Sequence, residues 1–154
     1  MGADKFPLVK YLLENGADPN ANLRGEIQSA LEVAASSSGL DTIDALIKSG
    51  ATVKGRSALL VAAREGREDI VNTLLDAGAE VNATPDNEDV YDNMEQMDDW
   101  GTALHAAAGS GQNNIVSLLL ERGARKDVRN AKGLVPGQVA EMKGHLNCVE
   151  LLRI

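Results

Sequence analysis

The chain has 154 residues, 44% of them apolar and 25% charged, which suits one domain or one repeat array and excludes wholesale disorder, a collagen-like chain and a coiled coil. Its net charge of −8 is unevenly spread: residues 1–67 carry eight acids and eight bases, residues 68–121 twelve acids and no Lys or Arg, and residues 122–154 three acids and seven bases. An acidic middle repels phosphate backbones, so nucleic acid is excluded as a partner and a protein with a basic surface is expected instead.

In chain order, the first expected element is a helix over Pro7 to Asn15 with an apolar flank of Leu8, Tyr11 and Leu12, closed by Gly16-Ala17. A second Leu-Ile or Leu-Leu pair stands four residues before a Gly-Ala pair at Leu46-Ile47 with Gly50-Ala51, then at Leu74-Leu75 with Gly78-Ala79 and Leu119-Leu120 with Gly123-Ala124. Ahead of the last three stands another block: Ser29-Ala30-Leu31 to Ala35, Ser57-Ala58-Leu59 to Ala63 and Thr102-Ala103-Leu104 to Ala108. In each case the Ser or Thr lies 21 residues before the Gly. Ser29, Ser57 and Thr102 suit the N-cap of a short Ala-rich helix. Gly66 and Gly111 allow the left-handed residue that stops it, and a second apolar-periodic helix follows, as in Ile70, Val71, Leu74 and Leu75. Each helix pair leaves an apolar face that only the next pair can cover.

This pattern resembles the ankyrin repeat, met most fully by Thr102 to Ala124. The resemblance implies an all-α fold, an α-solenoid of stacked helix-turn-helix units with β-hairpin or loop connections. It divides a single domain over 1–154 into a half repeat at 5–20, repeats at 21–54, 55–82, 98–130 and 131–154, and an acidic inserted loop at 83–100. Gly-to-Gly spacings of 34, 28 and 45 depart from a period of about 33, so the connection after Gly50 is shortened and the one after Gly78 lengthened. In the second unit Ser36-Ser37-Ser38-Gly39 puts the glycine one place late, which leaves the turn there open. The last unit, from Val135-Pro136-Gly137, loses the Leu and gains Glu141, as suits a terminal cap. The first unit lacks its partner helix: either the chain is cut from a longer array or the bare flank binds something.

The resemblance further implies a noncatalytic protein-binding module, monomeric and intracellular, whose partner lies along the concave surface and hairpin tips. By motif position that surface takes in Arg56, Arg64 and Glu65, then Asp98, Asp99 and Ser110, then Met142 and Lys143. The inserted loop has two readings. It is a solvated run of like charge, or it is a recognition arm in which acids steer a basic partner and Tyr91 and Trp100 anchor it. Trp100 has a further reading as packing for the hairpin base. Two other roles stay open, a regulatory segment of a larger enzyme or signalling protein and an inhibitor occluding a single enzyme.

Chemistry finds little to work with. Counting an EF-hand from Asp86 puts Tyr91 at the sixth place and Met97 at the twelfth, where Gly and Glu are required. The single cysteine, Cys148, allows no internal disulfide and no structural zinc site, and it falls at an apolar place of the last helix. His105 and His145 occupy structural places of the repeat, and the sequon Asn82-Ala83-Thr84 is a hairpin place. No P-loop, nucleophile elbow or zinc-protease motif occurs, so neither a cofactor nor a metal is expected. The longest apolar run, Ala58 to Ala63, is far below the roughly 20 residues of a membrane span. The start shows no secretory h-region, and Phe6 stands where a myristoylation signal wants Ser or Thr.

Overall fold

The computed structural model describes residues 6–21, 29–53, 57–84 and 100–153. Among them it is all helical: α1 (Phe6–Glu14), α2 (Ala30–Ser37), α3 (Leu40–Lys48), α4 (Ser57–Arg64), α5 (Glu68–Asp76), α6 (Ala103–Gly109), α7 (Asn113–Glu121), α8 (Pro136–Lys143) and α9 (Leu146–Leu152). The helices form two layers. First helices stack as α2 on α4, α4 on α6 and α6 on α8, and second helices as α1 on α3, α3 on α5, α5 on α7 and α7 on α9.

The repeated Gly-Ala pair has a specific mechanical reason. Gly16, Gly50, Gly78 and Gly123 all have φ between 84° and 96°, and each is followed by an Ala whose N–H reaches back five residues to a Leu carbonyl. Ala79 N–H meets Leu74 O at 2.9 Å and Ala124 N–H meets Leu119 O at 2.8 Å, while Gly78 N–H meets Leu75 O at 3.0 Å. This is the Schellman arrangement, which needs a left-handed residue at the Gly place and satisfies two orphan carbonyls of the helix end.

Capping differs from unit to unit. Ser29 Oγ accepts from the N–H of Glu32, and Glu32 accepts from the N–H of Ser29 at 2.7 Å, a full capping box. Thr102 also sits at the N-cap, but its hydroxyl lies 2.9 Å from His105 Nδ1, and the same nitrogen accepts from the Thr102 N–H at 3.1 Å. Ser57 is the first residue of α4 rather than its N-cap. The open turn after α2 carries no left-handed glycine: Ser38 and Gly39 are both extended, with Gly39 as the N-cap of α3 at φ −76°.

Alanine lets the first-helix layer close up. Ala35, Ala62, Ala63, Ala107, Ala108 and Ala140 are fully buried alongside Ile43, Val71, Leu74, Leu104, Val116 and Leu119. The expected hairpins contain no strand among the described residues. Asparagine side chains hold them instead. Asn20 Nδ2 donates to Gly50 O at 2.9 Å and its Oδ1 accepts from Thr52 N–H at 2.7 Å. Asn82 repeats this on Gly123 O at 3.1 Å and Arg125 N–H at 2.8 Å. The second bridge ties together the two units on either side of the 45-residue interval.

Candidate functional site

Four units place residues of the same rank along the first-helix layer. Ser36 and Ser37 end α2, Arg64 ends α4 with Glu65 just after it, Gly109 ends α6 with Ser110 just after it, and Met142 and Lys143 end α8. Glu65, Met142 and Lys143 are exposed, and Arg64 and Ser110 are partly buried. The structure therefore brings five of the expected binding residues into one row, and the two serines of α2 extend it. Arg56, Tyr91, Asp98 and Asp99 lie outside the described residues.

Trp100 does not stand on this surface. It is 5% exposed and packs with Leu60 and Ala106. Leu60 holds the place that His105 holds one unit later, and the two positions are covered by different means. His105 is fully buried, with Nδ1 facing Thr102 and Nε2 2.9 Å from Leu134 O. A backbone N–H can only donate, so Nδ1 is the bare nitrogen and Nε2–H donates to Leu134. Leu60 makes no such bonds and is sealed by the indole. Of the two roles the sequence left to Trp100, this position is the packing one, because a ring so enclosed has no face left for a partner.

The row is fixed from beneath by Arg67 and Gln112, which the sequence reading passed over, and by His145, to which it gave a structural place. The residue after each helix-one stop reaches back to the preceding unit. Arg67 donates from Nη1 to Ala35 O at 3.2 Å and from Nη2 to Ser38 O. Gln112 Nε2 donates to Arg64 O at 3.1 Å, and His145 Nε2 lies 3.1 Å from Gly109 O. These bonds satisfy carbonyls at helix C-termini that would otherwise lack partners. Two of these side chains pass over a glycine of the preceding unit: a Cβ on Gly66 would lie 2.5 Å from Gln112 Oε1, and one on Gly111 2.7 Å from His145 Nδ1. The signal was present as Gly66-Arg67, Gly111-Gln112 and Gly144-His145, three glycines each followed by a side chain with an N–H donor.

At the last hairpin Arg125 binds Asp127 bidentately at 3.1 and 2.8 Å, and that hydrogen bond holds the Asp127 carboxyl below its usual range. Asp127 takes the rank of Asn82 but pairs within its own hairpin, so the forward bridge ends there. Cys148 is fully buried and donates to Asn113 Oδ1 at 3.0 Å. Burial pushes its thiol pKa up, which disfavours the nucleophilic thiolate. Among the described residues no three His, Cys, Asp or Glu gather to hold a metal ion, and no helix is long and apolar enough to cross a membrane.

A family model described as ankyrin repeats in three copies matches residues 2–85 and 88–153. The chain belongs to the ankyrin-repeat family. Relatives include a probable E3 ubiquitin-protein ligase, XBOS31 of Oryza sativa subsp. japonica, 45% identical over 53 residues, which are 34% of this chain and 12% of that protein. The putative E3 ubiquitin-protein ligase XBAT31 of Arabidopsis thaliana is 43% identical over 54 residues, 35% of this chain and 12% of that protein. The potassium channel AKT3 of Oryza sativa subsp. japonica is 47% identical over 47 residues, 30% of this chain and 5% of that protein. The ankyrin chain thus spans an eighth or less of the relatives it matches. Ankyrin repeats are protein–protein interaction modules and are generally noncatalytic.

Proposed function

We propose that this ankyrin array is a noncatalytic adaptor that binds a partner protein along the row Arg64, Glu65, Ser110, Met142 and Lys143, within an intracellular compartment. The observation that carries the reading is the division of labour at the helix-one ends: Arg67, Gln112 and His145 crosslink the units, which holds the row rigid with Glu65 and Met142 exposed along it. A rigid surface loses little entropy on binding. The acidic segment 83–100 adds long-range attraction for a basic partner surface, with Arg56, Asp98, Asp99 and Tyr91 as further contacts at the hairpin tips. Binding enhanced by such charge weakens at high salt.

A second reading, the ankyrin segment of a larger enzyme or signalling protein, is supported by the small share of each relative that the match covers. The test for the adaptor reading is capture of partners from lysate at low and high salt. The intact chain is compared with Glu65→Arg/Ser110→Arg, with Met142→Ala/Lys143→Glu, and with a chain in which Thr84 to Asp98 is replaced by a Gly-Ser linker, all checked for native circular dichroism. Loss of the same partners in the row variants supports the reading. Retention of every partner in both row variants refutes it.

A further inference from the structure

The second-helix layer repeats one groove between successive helices, and between α5 and α7 an arginine of the chain itself lies across it. Arg122, at the end of α7, donates from Nη1 to Asp76 Oδ1 and from Nη2 to Asn72 Oδ1 of α5, both at 2.8 Å. The planar fork of the guanidinium suits two acceptors held side by side. Arg122 stands just before the left-handed Gly123, with Leu118 four places earlier on the same helix.

Between α1 and α3 the places match and the large side chains are missing. Counted from Gly50, Ser49 holds the place of Arg122 and Ala45 that of Leu118; counted from Gly16, Glu14 holds the place of Asp76 and Lys10 that of Asn72. All four line a groove of about 340 Å³. Ser49 even shares the backbone of Arg122, with φ −85° and ψ 4° against −86° and 9°. Two smaller residues on α3 thus leave open the space that Arg122 and Leu118 take up two units later.

Charge selects the occupant. Asp41 and Asp44 join Glu14 in the lining, three carboxylates against the ammonium groups of Lys10 and Lys48. Lys10 lies 3.9 Å from Glu14, an exposed pair of the i,i+4 kind that contributes little and gives way to a better donor. Phe6 and Leu13, both partly buried, add an apolar wall suited to a methylene stem. The groove between α3 and α5 is no second candidate, because Lys48 stands there in the place of Asp76 and repels a cation.

We propose that the α1–α3 groove accepts the arginine side chain of a partner chain, seated as Arg122 is seated between α5 and α7, with the Glu14 and Asp44 carboxylates as acceptors. The site lies on the second helices, apart from the row at the ends of the first helices, and does not depend on it.

The test titrates the isotope-labelled full chain with a blocked Ala-Arg-Ala peptide and follows amide shifts, with Ala-Lys-Ala and Ala-norleucine-Ala peptides as controls. Saturable shifts at Leu13, Glu14, Asp44 and Ser49 are expected with the arginine peptide. Binding should be about tenfold weaker with lysine, which lacks the fork, and absent with norleucine. Glu14→Gln/Asp44→Asn should weaken the arginine peptide by about tenfold as well. Ser49→Arg supplies the side chain from the chain itself. It should abolish the peptide shifts and raise the melting temperature by about 2–4 °C, a gain lost when Glu14→Gln is added. Absence of shifts at these residues, an equal response to all three peptides, or peptide binding unchanged in Ser49→Arg overturns the proposal. A parent chain that sediments as a dimer and becomes monomeric on Ser49→Arg assigns the groove to a second copy and overturns it too.

Discussion

Trp100→Ala separates packing from recognition most directly, because the two roles predict opposite losses. The indole is 5% exposed against Leu60 and Ala106, so nearly all of the roughly 150–250 Å² that such a ring can bury is buried. At about 25 cal/mol per Å² this is ~4–6 kcal/mol. Measured truncations of buried aromatics cost about 3–5 kcal/mol, and ~4 kcal/mol is the expected destabilisation here. With a urea slope of about 2 kcal/mol per M, the midpoint falls by ~2 M. The assay is urea unfolding followed by far-ultraviolet circular dichroism, since the substitution removes the only tryptophan. In the parent chain that single fluorophore gives a second readout: blue-shifted emission, poorly quenched by acrylamide until the α4–α6 junction opens. A parent emission matching free tryptophan in water, with a loss below about 1 kcal/mol on truncation, would refute the packing argument and return the ring to the binding surface.

Arg67→Ala removes charged donors to Ala35 O and Ser38 O and is expected to cost about 2 kcal/mol. Hydrogen exchange should show the loss in α2 and α3 while α6 and α7 stay protected; uniform loosening across the array would contradict a local crosslink. Replacing residues 85–99 by a four-residue Gly-Ser linker shortens a closed loop whose base is already pinned by Asn82 on Gly123 and Arg125. A gain of up to ~1 kcal/mol is expected, and a clear fall in melting temperature would show that the pinning is insufficient. Cys148 has a thiol pKa raised by burial, so at pH 8 its thiolate is scarcer than that of an ordinary cysteine. Alkylation by iodoacetamide in the native chain should therefore run far slower than in urea, and equal rates would place the sulfur in solvent.

Fold was legible where backbone chemistry restricts residue choice. The left-handed Gly followed by Ala with a Leu five places back is a hydrogen-bonding requirement written in sequence, and every such pair forms the expected helix end. Alanine at Ala62-Ala63 and Ala107-Ala108 was equally readable, because close approach admits nothing larger. Thr102 stands at the N-cap as expected, but the residue that completes its capping box is His105 rather than an acid, its Nδ1 accepting from the Thr102 N–H. His145 was given a structural place, but the crosslink it shares with Arg67 and Gln112 escaped because three chemically unlike residues perform one task, and a pattern sought by residue type does not register a shared donor. For Trp100 packing was among the readings, and what escaped was the identity of its partners. Its neighbours Leu60 and Ala106 belong to two successive units, and a contact between units is fixed by stacking rather than by any local period.

That tolerance at Arg67, Gln112 and His145 bears on where specificity is stored. The fold requires only an N–H donor able to reach a carbonyl of the preceding unit, and Gly66 and Gly111 leave room for the donor of the following unit, Gln112 and His145. The next residue back, at Ser37, Glu65, Ser110 and Lys143, meets neither demand. Its rank carries a hydroxyl, an acid, a hydroxyl and a base in successive units, a sequence that no packing rule selects. Mutating this rank should leave stability within about 0.5 kcal/mol of the parent, as surface changes away from structural features do, while altering partner choice. Constraint on the donor and freedom two residues earlier are two sides of one design. Crosslinking through the backbone carbonyls fixes the spacing of the outward side chains without dictating what they are, so the same stack can present any charge pattern at unit intervals.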